Sequence, residues 1–283
     1  MAHPELEVVA VTAVEGCAEA DKVTSNVENV VEIVDPEKRP RLGAATPAEH
    51  AIAVDTRYLH GDDGLGNLNL PGSAHLNRVH STKLMADLIR QHPGELSIIC
   101  LGPLTNVATI LTREPTIATL IDRLYIVGGT LNGIGNITAS AEFNMYFDPH
   151  SAREVFRSAI TKTLIPLDVT SQVDFGLDFL DKVADAGAVS FLHPSLQFLY
   201  QGFRQHLGRE SLLLNDAVGL IAAICSEAMT TVDLAGDVEP NGEITRGATV
   251  FDRRDTREWR TNMEVATMID VDLIKQNLNK LLR

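Results

Sequence analysis

Short apolar runs rich in β-branched residues alternate along most of the chain with stretches whose apolar positions recur at helical spacing. Leu6 to Val11, Leu96 to Leu101, Leu124 to Val127 and Thr163 to Pro166 read as buried strands. Ala20 to Val34, Leu76 to His92, Leu104 to Thr112 and Ser151 to Ser158 read as helices. Pro149, just ahead of the last, marks its start, because a fixed φ suits a first helical turn. Strand and helix in alternation predict βαβ units, and hence an α/β fold with a mainly parallel, doubly covered sheet. After Thr170 the helical patterns continue, with breaks at Gly187 and Pro194. Val232 to Glu239 and Glu243 to Phe251 predict a small late antiparallel pair.

No repeat, linker or low-complexity segment divides the 283 residues, so residues 1–283 are expected to form one domain. The opening is unusual for such a fold. Met1 to Val11 reads as the tail of a helix, a turn at Pro4 and then a strand, so a first βα unit is expected to be missing. With 24 basic against 38 acidic residues the net charge is −14, which disfavours nucleic acid and anionic membrane as partners. Cys17, Cys100 and Cys225 are scattered among apolar residues, which suits reduced core thiols and points to a cytoplasmic setting. The first residues lack the pattern of a signal peptide, and no apolar run approaches the roughly 20 residues that cross a bilayer.

Candidate chemistry concentrates in Gly135-Asn136-Ile137-Thr138-Ala139-Ser140-Ala141-Glu142-Phe143-Asn144, just beyond a strand ending in Gly128-Gly129. Open α/β sheets bind ligands at such carboxyl ends. An extended Glu142 to Asn144 would project the Glu142 carboxylate and the Asn144 amide on one face and turn Phe143 away, a pair suited to adjacent sugar hydroxyls. A polar loop, with Asp148 and Pro149 capping the next helix, satisfies the same spacing.

This run closely resembles the nucleoside hydrolase segment in which Gly-Asn precedes Ala-Glu-Phe-Asn and Asp-Pro. Four further blocks resemble the same family: Thr24-x-Asn26, His60-Gly61-Asp62-Asp63-Gly64-Leu65-Gly66, Leu101-Gly102-Pro103-Leu104-Thr105-Asn106 and Pro166-Leu167-Asp168-Val169-Thr170. The resemblance implies a nucleoside hydrolase-like, Rossmann-like open sheet. It also implies hydrolysis of the N-glycosidic bond of ribonucleosides to free base and ribose, and a dimeric or tetrameric homo-oligomer. By motif position, Asn136, Glu142 and Asn144 would hold ribose, Phe143 would shape the pocket, and His60 would line the base side. A bound calcium ion would activate the attacking water, with Asp216 and the main-chain carbonyl of Leu101 among its ligands.

Three features depart from the family pattern. The aspartate-rich D-x-D-P-G-x-D-D turn that supplies most of the calcium ligands does not occur in this sequence. Cys17 stands where many members have an asparagine, and Asn215 stands at the position of the family's leaving-group acid, where an amide cannot protonate a base. Tyr200, Arg204 and His206 lie on a helical stretch that could reach the base instead. The expectation is therefore a ribonucleoside hydrolase in a longer form, with the chain as given inactive. The competing reading is a non-catalytic nucleoside- or ribose-binding or assembly protein of the same fold. Coding sequence upstream of Met1 would discriminate them, and Asp62, Asp63 and Asp168 are the first substitutes as ligands should activity persist. Dinucleotide binding is disfavoured, since no G-x-G-x-x-G joins a strand directly to a helix. Substituting Glu142 by alanine is expected to abolish sugar binding with the fold intact.

Overall fold

The computed structural model describes residues 6–72 and 78–282. Strands β1 (Ala10–Thr12), β2 (Arg41–Ala44) and β3 (Val79–His80) form a parallel sheet in the order β1-β2-β3. Strands β4 (Ser97–Cys100), β5 (Arg123–Val127) and β6 (Lys162–Ile165) begin the larger sheet. A two-stranded ribbon follows, β7 (Asp174–Phe175) with β8 (Leu212–Leu213). After β9 (Met229–Leu234) comes a second ribbon, β10 (Gly236–Val238) with β11 (Thr249–Phe251). Strand β12 (Met263–Ile269) then inserts between β6 and β9 to complete the order β4-β5-β6-β12-β9, antiparallel only at its last pair.

Eleven α-helices lie among the described residues. They are α1 (Ala20–Val34), α2 (Arg57–His60), α3 (Ser81–Gln91), α4 (Thr105–Arg113), α5 (Phe143–Phe147) and α6 (Pro149–Arg157) in the first part. Then follow α7 (Leu167–Thr170), α8 (Leu177–Ala184), α9 (His193–Leu207), α10 (Asn215–Ile224) and α11 (Val271–Leu281). None is long and apolar enough to cross a membrane.

The period-two alternation of a strand explains why the larger sheet is covered twice. On β5, Leu124 and Ile126 enter a core with residues of α3, α4 and α6, while Val127 faces α8, α10 and α11. On β6, Leu164 and Ile165 divide the same way. Side chains buried on both faces are what a parallel strand requires, and all four residues of β6 are buried.

Several expected boundaries move. The first strand begins at Ala10 rather than Leu6, and the expected helix tail at Met1 to Glu5 lies outside the described residues. Of the helix expected from Leu76, residues 76 and 77 also lie outside them, and Val79–His80 is a strand ahead of α3. Pro194 does not break a helix but sits in the first turn of α9, where its missing N–H costs no bond. The late pair is only partly as expected. Residues 232–239 divide at Ala235, where β9 turns to pair with β12 and β10 pairs with β11 in the register Val238↔Thr249. The partner of β9 is Met263–Ile269, which the alternation pattern did not single out.

Candidate functional site

Four of the matched blocks turn out to hold the scaffold in part. Thr24 Oγ1 accepts from the Ala45 amide at 2.9 Å, and Asn26 Nδ2 donates to the Asp63 carbonyl at 2.8 Å. Asn106 Nδ2 donates to the carbonyl of Ala13 at 2.9 Å, tying α4 to the end of β1. Thr105 Oγ1 donates to Asp148 Oδ2 at 2.8 Å. In the glycine-rich block, Gly61 has φ +71° and Gly66 has φ +69°, and a Cβ on Gly66 would stand 3.0 Å from the Ser195 backbone. The loop that carries His60 therefore needs glycine to lie against α9.

The loops after β1, β4, β5 and β6 and the first turn of α10 converge on one cavity of about 1030 Å³. Its lining brings together Cys17, His60, Leu101, Asn136, Glu142, Phe143, Asn144, Asn215 and Asp216. The carboxyl ends of the strands thus meet there, as a doubly covered parallel sheet arranges.

Glu142 is not part of an extended segment. It is the N-cap of α5, with φ −83° and ψ 152°, and the helix begins at Phe143. Expecting a strand here missed the capping chemistry of a glutamate placed before an apolar turn. Its Oε2 accepts from Gly129 N at 2.9 Å and Met145 N at 3.3 Å, and its Oε1 accepts from Asn144 N at 3.0 Å. Gly128 (φ +145°) and Gly129 (φ +68°) make this approach possible, since a Cβ on Gly128 would lie 2.8 Å from Glu142 Oε2. Burial is the largest influence on the carboxyl and pushes its pKa up to about 7, against the three N–H donors that favour the anion; Asp216 nearby raises it further. Only 7% exposed, Glu142 is a structural cap as well as a lining residue, so alanine there would cost stability, contrary to the sequence expectation.

The neighbours divide their polar atoms between scaffold and cavity. Asn144 Nδ2 donates to Leu101 O at 3.2 Å and to Val127 O at 3.0 Å, clasping the ends of β4 and β5. Its Oδ1 accepts no hydrogen bond among the described residues. Asn136 Oδ1 accepts from Phe143 N at 2.9 Å. Phe143 does not turn away; it lines the cavity and packs against Phe147 at 5.8 Å between ring centroids.

At the start of α10, Asp216 is open to water inside the cavity, yet protein surrounds it closely enough for desolvation to push its carboxyl up to about 6. Cys17 has its thiol pushed up to about 12, by burial first and Asp216 second, so it is no thiolate near neutrality. Burial lowers the pKa of His60 and favours the neutral imidazole. Asn215 Oδ1 is buried without a hydrogen-bond partner among the described residues.

Other expected residues stand elsewhere. Arg204 lies outside the lining, 3.5 Å from Glu210 in an exposed ion pair. Tyr200 packs at the edge of the second core, and His206 meets the Tyr58 ring edge-on at 5.2 Å. Asp62 and Asp63 line a separate recess of about 450 Å³, and the Asp63 carboxylate accepts from the amides of Leu65, Asn67 and Asn69. Asp168 does line the cavity, but its oxygens accept from Leu131 N and Asn132 N. Helical spacing did not single out Leu199, Phe203, Leu207 and Arg209, which α9 and the turn after it bring to the lining.

Calcium takes six to eight oxygens, several of them carboxylate. Here Glu142 and Asp168 have both oxygens engaged by backbone donors, the Leu101 carbonyl accepts from Asn144, and Asp216 alone is without such a donor. No three His, Cys, Asp or Glu side chains among the described residues are grouped to hold a metal ion. The donors present do not fit a tight calcium site.

Comparison with known proteins supports the motif evidence. Residues 1–276 match the family profile described as inosine-uridine preferring nucleoside hydrolase. The non-specific ribonucleoside hydrolase RihC of Salmonella agona is 31% identical over 274 residues, 96% of this chain and 88% of that protein. The RihC of Salmonella enteritidis is 30% identical over the same shares. Among solved structures, the plant nucleoside hydrolase PpNRh1 superposes with a TM-score of 0.90 at 25% identity, covering 99% of this chain and 91% of the other. A purine-preferring ribonucleoside hydrolase from Gardnerella vaginalis shares the fold at TM-score 0.90 and 24% identity, over the same shares.

Proposed function

The chain belongs to the inosine-uridine preferring nucleoside hydrolase family, and from that premise we propose that its large cavity binds a ribonucleoside by the ribose. We propose further that it hydrolyses the N-glycosidic bond only in a form that carries the aspartate-rich turn. The observation that carries this reading is that Asn136, Glu142 and Asn144, from one motif, and Asp216, about seventy residues further along the chain, all line one cavity. Ribose offers adjacent hydroxyls, each both donor and acceptor. Asn144 Oδ1 accepts from one, the Asn136 amide nitrogen donates to another, and the remaining lone pairs of Glu142 accept from a third.

Hydrolysis needs a water deprotonated and aimed at the anomeric carbon, and a base that can leave. Asp216 is the lining carboxylate left free to hold that water, but one carboxylate gives little orientation. Neutral His60 and the Asn215 amide supply no strong acid to the departing base. Cys17 and Asn215 favour the second reading, a ribose- or nucleoside-binding protein without catalysis.

Three measurements test the proposal together. Ribose should bind the purified chain by calorimetry, while inosine and uridine should release no free base above a protein-free control. Fusing an N-terminal aspartate-rich βα unit should confer calcium binding. Chelator-sensitive base release by the unmodified chain would overturn the inactivity, and absence of ribose binding would overturn the site.

A further inference from the structure

We propose that Arg209 is a specificity-determining residue that selects 6-oxopurine over 6-aminopurine nucleosides at the α9 side of the cavity. The inference rests on the reading of Glu142, Asn144 and Asn136 as the ribose side.

The lining is chemically divided. One side comes from the strand ends and carries Asn136, Glu142, Asn144 and Asp168. The other comes from α2 and α9 and presents Leu59, Leu199, Phe203 and Leu207 with Tyr58. A flat ring with apolar faces complements that second side, so a nucleoside held by its ribose on the first directs its base toward α9.

Among the thirty residues that line the cavity, Arg209 is the one lysine or arginine. It follows Gly208, whose left-handed φ of +63° ends α9, and its backbone N–H donates to the Phe203 carbonyl at 3.2 Å. The turn thus fixes where the side chain leaves the wall. The nearby Glu210 is paired with Arg204, and among the described residues Arg209 makes no ion pair. His60 on the same side is favoured neutral by burial, so Arg209 supplies that side's fixed positive charge.

A guanidinium has five donors, no acceptor, and keeps its proton at every working pH. It therefore recognises an edge made of acceptors. A 6-oxopurine presents O6 and N7 side by side, which an arginine engages with two parallel bonds. A 6-aminopurine presents N7 beside an N–H₂ donor, and two donors meeting there oppose binding. The RihC relatives carry the name non-specific, so selection by this residue would set the chain apart from them.

The test titrates ribose, inosine and adenosine into the intact chain and into Arg209→Gln and Arg209→Lys, with thermal melting as a folding control. Inosine should bind the unmodified chain about tenfold or more tightly than adenosine. Arg209→Gln should remove that preference while ribose affinity and melting temperature stay unchanged. Arg209→Lys, which keeps the charge and loses the fork, should fall between. Equal affinities in the unmodified chain, or a preference that survives Arg209→Gln, would overturn the proposal. Should ribose fail to bind while inosine still binds through Arg209, the ribose assignment falls and the selectivity stands. Should nothing bind, both fall.

Discussion

On the strand-end side of the cavity nearly every polar side chain is held by the backbone, whereas on the α9 side the lining is held by packing. Glu142 receives three main-chain donors, Asp168 two, and Asn144 clasps two carbonyls. Opposite them, α2 lies on α9 through Gly202, where an added Cβ would come within 2.5 Å of the Tyr58 carbonyl. The first arrangement fixes directions and suits a ligand with hydroxyls. The second fixes a surface and suits a ligand with a face.

The largest effect should follow from breaking the polar side at its hub. Glu142→Ala removes the cap of α5 and leaves buried N–H groups of Gly129, Asn144 and Met145 without their acceptor. Unfolding by denaturant should show a loss of about 1–3 kcal/mol, and ribose binding should vanish. Unchanged stability would contradict the capping role.

Two glycines sharpen the comparison. A Cβ on Gly219 would stand 2.4 Å from Val127, so Gly219→Ala should push α10, and with it Asp216, off β5. Overpacking of this kind costs about 1–3 kcal/mol. Ribose affinity should fall with it. Gly202→Ala should instead part α2 from α9 and weaken inosine binding while ribose binding persists. Calorimetry on both variants with both ligands checks the division, and parallel losses would dissolve it.

A smaller effect is a pH dependence that belongs to the polar side alone. The folded pKa of Glu142 is raised from 4.5 to about 7, so the native state holds its proton more tightly than the unfolded chain. Its favourable contribution is complete below about pH 4.5 and is lost as pH rises through about 7. Melting temperatures of the unmodified chain and Glu142→Gln should therefore diverge across that window. A constant difference between them would count against the burial of the carboxyl.

This contrast also explains how much could be read in advance. The blocks around Leu101, Asn136 to Asn144 and Asp168 led to the polar side because backbone capping and tight glycines demand particular residue types at fixed spacing, and Gly128-Gly129, Asn136 and Glu142 carry that demand on their face. What misled was the local conformation: Glu142 satisfied a strand pattern and a cap pattern equally, and tertiary donors from Gly129 decided for the cap. On the α9 side, Leu199, Phe203 and Leu207 follow the same spacing as any buried helical face, so nothing distinguishes a ligand wall from core. Arg204 and His206, the polar residues that drew attention there, point to an ion pair and to Tyr58, while Arg209 sits beyond the helix end where periodicity stops. Strand β12 escaped because its partner, β9, lies about thirty residues earlier in the chain, and such pairing leaves no local trace.

The most direct test is a calorimetric titration of ribose into the intact chain and into Asp216→Asn and Asn144→Ala. Saturable binding by the intact chain, weakened in both variants while the melting temperature of Asp216→Asn stays close to the parent, is the expected result. Ribose binding that is absent from the intact chain, or untouched by either substitution, would contradict the assignment of this cavity to a ribonucleoside.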